Sequence, residues 1–126
     1  MRGTVLLLNS DTSRLVDVDV LRANGLMVQD CRDLARALQQ LERTAPDVVV
    51  AVLRGQDLPS SLAPLRDLAD RATSIIVASA PEQRDAARMA GADSFLVSTA
   101  PLPDLLYEIH RALILRRSGR RLPWNG

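Results

Sequence analysis

A chain of 126 residues sets one domain as the expectation, with enough length to bury a core without disulfides or metals. With 47% hydrophobic and 25% charged residues, the composition is that of a globular chain, not a disordered one. The longest apolar run, Val48–Leu53, is too short to cross a membrane, and no charged n-region and apolar h-region open the chain. A single cysteine, Cys31, cannot form an internal disulfide, which points to a reducing, cytoplasmic compartment.

The net charge of +1 gives no overall nucleic-acid character. Its distribution is uneven. Residues 111–126 hold five arginines and no acid, while residues 1–110 hold eleven arginines and all fifteen acids. All 16 basic residues are arginine, so side-chain primary-amine chemistry is excluded.

Strand-like and helix-like segments alternate along the chain. Thr4–Leu8 is a continuous apolar run of the kind found in strands buried on both faces. Asp11, Thr12 or Ser13 is expected to cap the first helix, whose apolar positions are Leu15, Val18 and Leu21, and Asn24-Gly25 stops it. Leu26–Val28 reads as a short second strand. Asp30 and Asp33 favour the next helix start, and Leu34, Ala37, Leu38 and Leu41 form its stripe up to Pro46.

Val48–Leu53, fully apolar and rich in valine, is the expected central strand. After a polar loop, Leu62, Leu65 and Leu68 mark a third helix, and Ser74–Ala78 a fourth strand. Pro81 and Gly91 frame a fourth helix, and Phe95–Val97 is a fifth strand. Pro101 and Pro103 lead into a long last helix carrying Leu105, Leu106, Ile109, Ala112 and Leu113. This alternation predicts an α/β fold: one doubly wound domain with a five-stranded parallel sheet in order 2-1-3-4-5 and five helices, flavodoxin-like.

Residues 4–117 resemble a bacterial response-regulator receiver domain, with 118–126 expected as a basic tail or linker start. The resemblance rests on Pro46-Asp47-Val48-Val49-Val50-Ala51-Val52-Leu53-Arg54, on Ala90-Gly91-Ala92-Asp93-Ser94-Phe95-Leu96-Val97, on Ser79-Ala80, and on Pro103-Asp104-Leu105-Leu106 with Ile109 and Ala112-Leu113. It implies a two-component signalling role. In that family an aspartate on the third strand takes a phosphoryl group, two acids hold a divalent cation, and a lysine and a hydroxyl complete the site. Here the phosphoacceptor position falls on Val52, the acid pair on Asn9 and Ser10, and the lysine on Ser98. Ser79 keeps the hydroxyl, and Phe95 the aromatic linked to switching. The resemblance therefore implies the fold and its docking surfaces but argues against phosphoryl transfer, as in a degenerate pseudo-receiver.

Simpler readings cover the other candidates. Asp57 reads as a turn residue before Pro59, Asp11 as a helix cap, and Ser10–Ser13 lacks the glycine of a phosphate cradle. His110 has no second histidine or nearby cysteine for a metal, and Trp124 is expected to dock on the body or a neighbour. No enzyme, metal or cofactor is expected. The expected partner is a signalling protein, with a weak homodimer through the fourth-helix, fifth-strand and last-helix face carrying Phe95, Tyr107 and Arg111. Neither nucleic acid nor membrane is an expected partner. The competing reading is a small-ligand sensor using the vacated positions at the strand ends.

Overall fold

Parallel strands that are apolar on both faces need helices on both sides, and the chain supplies them in alternation. A computed structural model describes residues 3–9, 16–54, 66–67, 72–79, 81–120 and 123–124. The strands β1 (Thr4–Asn9), β2 (Met27–Cys31), β3 (Val48–Leu53), β4 (Thr73–Ala78) and β5 (Ser94–Val97) form one parallel sheet in the order β2-β1-β3-β4-β5. Every residue of β3 and β4 is buried.

Alternation along the strands separates two apolar layers. Leu6, Leu8, Val49, Ala51, Ile76 and Phe95 share one with Ala37 and Leu41 of α2 (Leu34–Thr44) and Ala87 of α3 (Arg84–Met89). Val5, Leu7, Val50, Val52, Ile75 and Val77 share the other with Leu21 of α1 (Val18–Ala23) and Leu105, Ile109 and Ala112 of α4 (Leu102–Arg117). A 3-10 turn, Pro81–Gln83, leads into α3.

Five helices are expected, and four stand among the described residues. The third helix, on Leu62, Leu65 and Leu68, lies outside them, although Arg66 and Asp67 are helical.

Two boundaries differ from the expectation. The cap of α1 is Asp17, whose Oδ1 accepts from Asp19 N at 2.9 Å, not a residue of 11–13. β2 runs on to Cys31, so Asp30 is a strand residue, and Asp33 alone caps α2 by accepting from Arg36 N at 2.8 Å.

The Pro-Asp and Gly-Ala-Asp strings have a shared physical role at the N-terminal rim of the sheet. Asp47 donates its N–H to Thr4 O at 3.0 Å and accepts from Thr4 N through Oδ2 at 3.1 Å. Asp93 donates its N–H to Ser74 O at 2.8 Å and accepts from Ser74 N through Oδ2 at 2.9 Å. Each aspartate thereby closes a ring with the neighbouring strand and sets its register. Asp47 Oδ1 also lies 3.4 Å from Arg116 Nε, which fastens the end of α4 to the start of β3.

Helix α2 ends on Ala45, which is exposed and holds a left-handed φ of +43°. A Cβ at that angle costs about 1 kcal/mol. Ala45→Gly is expected to raise stability by roughly 0.5–1 kcal/mol, read as a higher urea midpoint at unchanged slope. An unchanged or lower midpoint would refute the strain.

Candidate functional site

Parallel strands deliver their last residues to one rim, where α/β proteins place their sites. That rim brings together Asn9 at the end of β1, Val52 beside it on β3, Ser79 after β4 and Ser98 after β5. Four of the five positions that the resemblance assigns to the receiver site therefore sit at one edge. Ser10 lies outside the described residues, as do Asp11 and Asp57.

Asn9 is 1% exposed, yet its amide is fully employed. Nδ2 donates to Asp30 Oδ1 at 3.0 Å and more weakly to Val16 O at 3.5 Å, while Oδ1 accepts from Val16 N at 3.2 Å. The side chain thus ties β1 to the end of β2 and to the entry of α1. Asp30 in turn lies 3.8 Å from Arg32 Nε. The Asn9–Asp30 contact was invisible to periodicity, which assigned Asp30 to a helix start.

Val52 pairs with Asn9 on one side and Val77 on the other, and is 1% exposed. A hydrocarbon there has no atom that can attack phosphorus. Ser98 hydrogen-bonds Ala78 O through its backbone at 2.8 Å, while its buried Oγ has no hydrogen-bond partner among the described residues. Among the described residues, no group of three His, Cys, Asp or Glu side chains could hold a metal ion. Cys31 is buried at the end of β2, and burial, with Asp30 and Asp33 nearby, pushes its thiol above the ordinary value and keeps it protonated. A cavity of about 400 Å³ lies at the opposite end of β2, lined by Arg22, Gly25, Leu26, Met27 and Val28.

The chain has one Phe, one Tyr and one Trp, and a guanidinium lies over each ring. Arg84 of α3 stands 5.9 Å from the centroid of Phe95, which is 5% exposed and turned into the core. Arg88, one turn further along α3, stands 5.7 Å from Trp124. On α4, Arg111 stands 5.9 Å from Tyr107, which is 63% exposed. Arg111 also lies 3.7 Å from Glu108, whose buried carboxylate accepts from Ser94 Oγ of β5 at 3.2 Å. This places Arg111 on the β5 side of α4. Ile114, 64% exposed, extends the Tyr107–Arg111 stripe and was missed. Its spacing of seven from Tyr107 was the available signal.

No protein-family model matches the sequence, and no curated protein matches it. Solved structures do. A response regulator from Thermotoga maritima is 17% identical, covering 90% of this chain and 99% of its own, with a TM-score of 0.74. A response regulator receiver domain protein (CheY-like) from Methanospirillum hungatei JF-1 is 19% identical over 94% and 99%, with a TM-score of 0.75.

The fold is that of the response-regulator receiver domain. A CheY-like protein (tadZ) from Pseudomonas aeruginosa PAO1 shares it at 22% identity over 89% and 94%, with a TM-score of 0.69. Within the receiver frame, α3, β5 and α4 correspond to the fourth helix, fifth strand and last helix of the expected docking face.

Asn9→Asp would set a second carboxylate against Asp30 and remove the donor that joins them. The variant is expected to lose about 2–3 kcal/mol near neutral pH. Repulsion raises the carboxyl pKa of this pair in the folded state above the unfolded value. The folded variant therefore binds protons more tightly, and its deficit shrinks as pH falls. Urea midpoints at two pH values check this, and a pH-independent deficit would refute it.

Proposed function

We propose that this chain is a receiver-type module of a two-component-like signalling pathway that works by protein–protein contact without phosphoryl transfer. The observation that carries this reading is Val52. The resemblance assigns the phosphoacceptor position to it, and it is a buried hydrocarbon beside an Asn9 whose amide already serves Asp30 and Val16. The absence of lysine from the whole chain supports it, since nothing can pair with phosphoryl oxygens from the Ser98 position. In this reading the domain is not an enzyme.

The contact face in this reading is α3, β5 and α4, with Tyr107, Arg111 and Ile114 as its exposed stripe. Arginine and tyrosine together are the composition of interface hot spots. Phe95 is turned inward beneath Arg84, and in this reading the face either rests in one state or is moved by a partner instead of a phosphate. A partner can then act by binding one arrangement of the face better than another. The same face is the proposed seat of a weak homodimer. The second reading, a small uncharged ligand at the strand ends, draws on one observation, the unpartnered Ser98 Oγ.

Acetyl phosphate with Mg²⁺ is expected to leave the intact mass unchanged, and Val52→Asp alone is expected to cost roughly 1–3 kcal/mol without gaining a phosphate. A stable one-phosphate adduct on either chain would overturn the reading.

For the face, sedimentation should show weak, concentration-dependent association in the wild type. The Tyr107→Ala, Arg111→Glu double variant should remove it. Identical monomers throughout would defeat the homodimer.

A further inference from the structure

Helix α4 ends in a paired cap that redirects the chain. Gly119, at φ +71°, donates to Arg116 O at 3.0 Å, and Arg120 N donates to Leu115 O at 2.8 Å. Beyond this turn, Trp124 is half-buried. It packs on the apolar layer covered by α2 and α3, not on the layer covered by α4. Trp124 therefore lies on the face of the sheet opposite α4. There Trp124 lies under Arg88, as Phe95 lies under Arg84 one turn earlier on the same helix.

Helix α3 has six residues, of which Ala87 alone is buried. A helix that short draws its stability from its neighbours, because one and a half turns cannot offset the cost of nucleation. An indole packed on the adjacent core and stacked on its second arginine is such a neighbour.

We propose that Trp124 acts as an intramolecular strap: seated at Arg88, it holds α3 against the sheet and must be displaced by any partner that engages this end of α3. The last clause rests on the partner face proposed above; the strap itself does not.

Trp124 is the sole tryptophan, so fluorescence excited beyond the tyrosine absorption band reports its surroundings alone. In the full chain, emission is expected to be blue-shifted and less quenched by acrylamide than in the urea-unfolded chain, at every protein concentration. Arg88→Ala should shift it to the red and restore quenching. Trp124→Ala should speed amide hydrogen exchange several-fold across Arg84–Met89 and leave α2 unchanged. Native emission equal to that of the unfolded chain would overturn the strap. A blue shift lost on dilution would overturn it too, assigning the site to a second copy's tail. Unchanged exchange in α3 would show that Trp124 does not hold the helix. None of these readouts needs a partner, and none involves Tyr107 or Arg111. The strap and the α4 face therefore fail separately.

Discussion

A sheet covered on both faces can keep polar side chains at its rims but hardly anywhere else, and the rest of this molecule follows from that constraint. β3 and β4 expose no residue, so their polar neighbours must act at the strand ends. The N-terminal rim is used for registration: Asp47 and Asp93 bridge from one strand to the next, and Arg116 joins α4 to that rim through Asp47. At the C-terminal rim, Asn9, Val52, Ser79 and Ser98 are uncharged, and Asp30 is bonded to Asn9.

The difference between an amide and a carboxylate explains how such a rim is stable without a cation. A carboxylate can accept hydrogen bonds but cannot donate one, so two facing carboxylates need a metal or a proton between them. Asn9 donates to Asp30 and accepts from Val16 with the same group. The result is a closed clasp among β1, β2 and the entry of α1. Beside it, Val52 sets a buried hydrocarbon against the clasp, and Ser98 Oγ is the buried polar atom at this rim without a hydrogen-bond partner among the described residues.

Most of the fold was legible because buried parallel strands write continuous apolar runs, and β1, β3, β4 and β5 were placed to within one residue. β2 was cut short because it is an edge strand. Gln29 and Asp30 break its apolar run, and the bond that accounts for Asp30 comes from 21 residues away. The start of α1 was misplaced because Asp11, Thr12 and Ser13 are chemically as good as the Asp17 cap that is used. Positions 9, 52, 79 and 98 fall at one rim once the strands are read as parallel, but their roles come only through the family resemblance, since no local pattern links them. The return of Trp124 to α3 leaves no periodic trace at all.

The guanidinium planes over Phe95, Tyr107 and Trp124 have a consequence for recognition. Each guanidinium carbon stands 5.7–5.9 Å from a ring centroid, where a planar, delocalised cation that carries its N–H donors as a fork suits an aromatic neighbour better than a compact ammonium does. Carboxylates match that fork edge-on and poorly from above. A lysine at position 84, 88 or 111 would keep the charge but lose both the flat surface that meets the ring and the fork that meets a carboxylate.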